Sequence, residues 1–126
     1  MKKQRFSIPL YDVEVTLVQV ESPDDIEGVV ACCNEAWLPQ EDIEAVSEYI
    51  ANDNHDGGDT FRNFDKWQML VIFYRMTNGR TKRNIYGHEK RHVEDRVLQW
   101  CGVNDIEAAA YLAGFLTEQF ADFYYK

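Results

Sequence analysis

Cysteine and proline are scarce in this chain of 126 residues, with three of each, and long apolar runs are absent. Two of the cysteines, Cys32 and Cys33, are adjacent, so they form no disulfide framework, and the expected compartment is a reducing cytoplasm. No run approaches the length that crosses a bilayer, so no membrane association is expected. The opening segment "MKKQRFSIPLYDVEV" has basic residues but no apolar stretch behind them, so no signal peptide is expected. Positive charge is also in deficit: the formal net charge of −9 argues against a general nucleic-acid binder, which needs a basic surface. No repeat, linker or low-complexity tract divides the chain, so a single domain over residues 1–126 is expected.

Hydrophobic residues make up 45% of the chain and aromatic ones 13%, enough for a globular core at this length. "FSIPLYDVEVTLVQV" alternates and is rich in valine, so it reads as one strand or as a hairpin interrupted near Pro9. Ser22 and Pro23 suit the cap and first position of a helix running to about Trp37. Pro39 breaks it, and "QEDIEAVSEYIAND" sets Ile43, Val46 and Ile50 on one face of a second helix. "NDNHDGGDT" reads as a loop, "KWQMLVIFYRM" as the strongest strand, and "TNGR" as a turn. Two helices are expected over about 84–101 and 105–125, separated by "GVN". The class is α+β, with a short mixed or antiparallel sheet.

The chemistry concentrates in "IYGHEKRHVEDRVLQWCG". Residues four apart stack on one face of a helix, so His88 and His92 can aim ring nitrogens at one metal ion. Glu89 lies about 100° round the helix, within reach of water at that ion without being a ligand. Zinc with such ligands lowers the pKa of water to about 7, and a neighbouring carboxylate can accept the proton. The two residues inside the motif are Lys90 and Arg91, where zinc peptidases usually carry uncharged ones. Lys90 pairs with Glu94 and Arg91 with Asp95 at i,i+4, which implies that this flank is wetted while Val93, Val97 and Trp100 face the core.

Catalytic zinc usually has three protein ligands. Asp95 shares the helix face and can serve as a ligand or an outer carboxylate. The stronger candidate is Glu107, near the start of the following antiparallel helix, whose small residues Ala108–Ala110, Ala113 and Gly114 permit close packing after a Gly102 cap. Asn104 and Glu107 also have the spacing of a capping box, which is the structural alternative for that glutamate.

"HEKRH" followed by "EAAAYLAGFL" resembles the gluzincin arrangement of the ImmA/IrrE-like peptidases. It is similar, too, to compact zincin-like proteins of phages and mobile elements, over about residues 59–120. The resemblance implies a zinc ion held by His88, His92 and Glu107, with Glu89 as base and a protein or peptide as substrate. Lys90 and Arg91 depart from the family pattern.

Other features carry less. Asn52, Asn54 and Asp56 imitate the start of a calcium loop that lacks its closing glutamate, and His55 lies among them. Tyr86 can donate to an oxyanion or simply pack. "WQMLVIFY" can border a cleft and pair with a peptide, or form a central strand. Arg75, Arg80, Lys82, Arg83, Lys90, Arg91 and Arg96 make a solvated face or an anion-binding rim. Cys32, Cys33 and Cys101 read as small buried residues. The expected function is a zinc-dependent peptidase; a non-catalytic zincin-like module that binds metal or protein is the second reading, and a metal-free helical interaction module the third. Protein purified without chelator is expected to carry about one zinc per chain by elemental analysis, and a metal-free protein that zinc does not stabilise would end the metal reading.

Overall fold

The alternation of the first twenty residues resolves into a hairpin in the computed structural model, which describes residues 1–63 and 65–126. Strand β1 (Lys2–Ile8) pairs antiparallel with β2 (Val13–Gln19), Phe6 opposite Val15. Pro9 cannot donate to a ladder and ends β1, and the turn places Leu10 and Asp12 at positive φ. Val13, Val15 and Leu17 of β2 face one layer of core, while Val18 faces the other.

Ser22 caps a short 3-10 turn (Pro23–Asp25) in a complete capping box, and α1 (Ile26–Glu35) continues from it. Pro39 precedes α2 (Gln40–Ala51), whose buried residues are Ile43, Val46 and Ile50, as their spacing predicts. These two helices cover one face of the sheet, packing Val29, Cys32 and Cys33 with Val18, Leu70 and Ile72.

Two expectations change in the middle of the chain. The polar stretch read as loop ends early, because Gly58–Asn63 forms β3, antiparallel to β4 (Gln68–Phe73). Strand β4 also pairs in parallel with β2, giving the order β1-β2-β4-β3 in a mixed sheet. The "WQMLVIFY" segment is therefore central, closed on both sides, and cannot border a cleft. The edges are β1 and β3.

Helix α3 (Gly79–Trp100) begins at Gly79 rather than near residue 84, because Asn78 is its N-cap: its Oδ1 accepts from the Thr81 amide at 2.8 Å. Its other end closes in a Schellman motif, with Gly102 at φ 67° and the Val103 amide on the Leu98 carbonyl at 2.9 Å. Helix α4 (Ile106–Tyr125) returns antiparallel and buries Leu112, Leu116, Phe120 and Phe123. Together α3 and α4 cover the second face of the sheet over Val15, Leu17, Val71 and Phe73. The described residues thus form an α+β domain with four α-helices on the two faces of a four-stranded mixed sheet. Among the described residues no helix is long and apolar enough to cross a membrane.

Tyr86 belongs to this second core and not to an oxyanion site. It is 4% exposed, and its ring stacks on Phe73 with centroids 3.8 Å apart. Its hydroxyl donates to Gln19 Oε1 at 2.7 Å, while Gln19 Nε2 donates to the carbonyls of Val20, Phe73 and Tyr74. This network satisfies a buried amide where β2 and β4 end, and burial pushes the Tyr86 phenol up, keeping it a donor. Tyr86→Phe strands Gln19 Oε1 and is expected to lower the unfolding free energy by about 1–3 kcal/mol in urea denaturation. Zinc affinity should not change; a loss of affinity would restore Tyr86 to the site.

Candidate metal centre

One turn of α3 carries both histidines. Their Nε2 atoms lie 3.0 Å apart, with the rings edge to face. Two nitrogens bound tetrahedrally at about 2.05 Å would stand roughly 3.3 Å apart, so the pair is close to the bite that one zinc ion requires. Glu89 completes the group: ligand atoms of His88, Glu89 and His92 all lie within 4.8 Å of one another. The three can hold a metal ion. The His88 side chain is 65% exposed, so the group opens to solvent.

Glu89 is only 3% exposed, although its neighbours in sequence are charged. It is buried against β3, where the Thr60 hydroxyl donates to its Oε1 at 2.8 Å. The second oxygen, Oε2, lies 3.8 Å from His88 Nε2. The carboxylate is thus fixed at one oxygen and turned toward the histidines at the other. Gly58 makes the approach possible. A Cβ there would stand 2.8 Å from Glu89 Cγ and 3.1 Å from Ile85 Cγ2. Neither Thr60 nor Gly58 was singled out by the sequence, because both fall in a stretch that reads as loop. The signal present was the strand-forming pair Thr60–Phe61 one residue after the Gly57–Gly58 pair.

The charged interior of the motif divides in two. Arg91 and Asp95 form an exposed pair at 3.2 Å, as expected. Lys90 and Glu94, 2.6 Å apart, are not wetted: their side chains are 23% and 7% exposed. Lys90 shares a small apolar groove between α3 and α4 with Tyr86, Thr117 and Phe120. A lysine stem lying along such surface tolerates this position when its ammonium is paired.

The groove also fixes where α4 stands. Arg83, Tyr86, Gly87 and Lys90 are the α3 residues that meet α4 there. At 100° per residue, His88 and His92 lie on roughly the opposite flank, beside β3. Glu107 is exposed in the first turn of α4 and outside the metal-capable group. The structure therefore does not bring Glu107 to the histidines, and Asp95, held by Arg91, is likewise outside the group. The capping alternative shifts as well: the N-cap of α4 is Asp105, whose Oδ1 accepts from the Ala108 amide at 2.9 Å, not Asn104. Gly114 is exposed and takes no part in the helix contact.

The remaining candidates have structural occupations. Asp56 accepts from the amide and hydroxyl of Thr77, both at 2.8 Å, and from His55 Nδ1 at 2.9 Å. Asp53 takes both Arg75 nitrogens at 3.1 and 3.2 Å, so the calcium-like loop spends its carboxylates tethering itself to the segment before α3. Lys82 lies 4.4 Å from the Tyr124 ring centroid and donates to the Tyr124 carbonyl, at the negative end of α4. Burial pushes the Cys33 thiol to about 11, and Cys32 is also raised, so both are packed, unreactive thiols.

His92→Ala is expected to weaken zinc binding at least about 100-fold by calorimetry, more than an outer-shell loss costs. Glu107→Ala should leave it unchanged. A large loss with Glu107→Ala would mean that α4 rearranges to supply the third ligand.

No family model, curated protein or solved structure matches the chain, so what it does rests on the geometry of this cluster.

Proposed function

We propose that the domain is a zinc-dependent hydrolase of peptide bonds, related to the compact zincin-like proteins that its motif resembles. The observation that supports this reading is the 3.0 Å convergence of His88 and His92 Nε2 beside a buried carboxylate with one oxygen turned toward them. Zinc held there would act as a Lewis acid, polarising a carbonyl and acidifying water. Glu89 supplies the proton transfer: Thr60 fixes Oε1, leaving Oε2 to accept a proton from the attacking water and return it to the leaving amine. Strand β3 is an edge of the sheet and runs beside the cluster, so an extended peptide can add to it by backbone pairing.

One observation favours a second reading, a metal-binding module without turnover. Glu107 is exposed and outside the group, which confines the donors to one helix and leaves two ligands, not the usual three, when Glu89 is kept as the base.

Glu89→Gln separates the two. The change is nearly isosteric, still accepts from Thr60, and removes only the base. It is expected to keep zinc and fold while abolishing cleavage of a peptide library followed by mass spectrometry. Wild-type protein that binds zinc tightly and cuts nothing would establish the module. Products formed equally by the mutant would point to a different protease.

A further inference from the structure

The groove between α3 and α4 encloses a cavity of about 200 Å³. Tyr86, Phe120, Ala121, Tyr124 and Tyr125 give it an apolar lining, and Tyr125 is left 81% exposed. Sites that enclose small organic ligands run to about 300–1,000 Å³, so this one is too small for that use. It has room to seat apolar side chains of something larger. Because it lies between two antiparallel helices, its shape suits a third helix laid along them.

Two residues of the lining are unused by the fold. Gly87 sits inside α3, and a Cβ built there would meet nothing within 4 Å. Glycine in a helix interior costs stability relative to alanine, and here the chain gains no internal contact in return. What the missing side chain does permit is close approach of another backbone from outside. The second residue is Arg83, which forms no hydrogen bond or ion pair among the described residues. The other lining cation, Lys90, is neutralised by Glu94 at 2.6 Å. No aspartate or glutamate lines the groove, although acidic residues outnumber basic ones 22 to 13 in the chain. The groove therefore offers an apolar floor with one uncompensated positive charge at its side.

We propose that this groove docks an acidic amphipathic helix of a partner protein. Apolar residues at i, i+3, i+4 and i+7 of that helix lie on the aromatic lining, and a glutamate or aspartate of its polar face meets Arg83. Gly87 admits the backbone of the incoming helix. A charge at the side of an interface governs the choice of partner more than the affinity, so Arg83 selects an acidic helix over a basic one. The groove lies on the flank of α3 away from the histidines, and the proposal is independent of the metal reading.

The test uses the full chain and a set of fluorescein-labelled helical peptides of leucine, alanine and glutamine, with leucines on one face. The members are identical except that a single glutamate replaces each polar glutamine in turn. In fluorescence anisotropy the parent peptide is expected to bind saturably. Glutamate at one position or two neighbouring ones should tighten binding roughly fivefold at low salt, and Arg83→Glu should reverse that preference. Gly87→Leu should abolish binding of every peptide. The same variant should unfold at a temperature no lower than wild type, since leucine favours a helix over glycine and open space receives it. Binding that survives Gly87→Leu, or no binding of any peptide, would overturn the site. Glutamate positions that bind no better than the parent would overturn its acidic selectivity. Self-association in analytical ultracentrifugation that Gly87→Leu removes would assign the groove to a second copy of the chain and overturn the partner helix.

Discussion

The contact of α3 with the edge strand is what the candidate centre depends on. Helix α3 lies close enough to β3 for Thr60 to hold Glu89, because Gly58 offers no Cβ to keep them apart. A buried carboxylate without a partner is costly, and one with a single well-aligned donor is tolerable. The Thr60 hydroxyl therefore does two things. It gives the buried Glu89 a partner, and it decides which carboxylate oxygen is left facing the histidines.

The rest of the fold holds that contact in place. Strand β4 is paired on both sides, and through it β3 is anchored to the sheet. Val93 and Val97 on α3 are fully buried, so the helix cannot roll to release Glu89 without exposing them. The Tyr86–Gln19 hydrogen bond ties α3 to β2 and so sets the rotation of the helix about its own axis. The Trp67–Trp100 stack, with centroids 4.8 Å apart, pins its C-terminal end. The charges inside the motif, which look anomalous beside a metal site, thus divide between packing against α4 and solvation.

Much of this was legible in the sequence. Alternating valines announced β2, and the spacing of Ile43, Val46 and Ile50 announced the buried face of α2. The capping residues Ser22 and Gly102 marked the ends they occupy. Strand β3 was hidden because its first residues look like turn residues, and with it went Thr60 and Gly58. Asn78 was read as a turn because an N-cap and a turn draw on the same residue types. The histidine pair and Glu89 followed from the helical period, since all three lie within one and a half turns. The placement of Glu107 did not, because spacing along the chain fixes how far a helix runs before it returns but not which flank of its neighbour it meets.

That both histidines belong to one helical turn has a consequence for how metal and fold are coupled. A zinc finger draws its ligands from separate segments, so the ion is the crosslink that makes the fold. Here an ion held by His88 and His92 would join two points of a helix already formed, against a core that packs on both faces of the sheet without it. The fold is complete without an ion, so removing one held there would leave its shape in place.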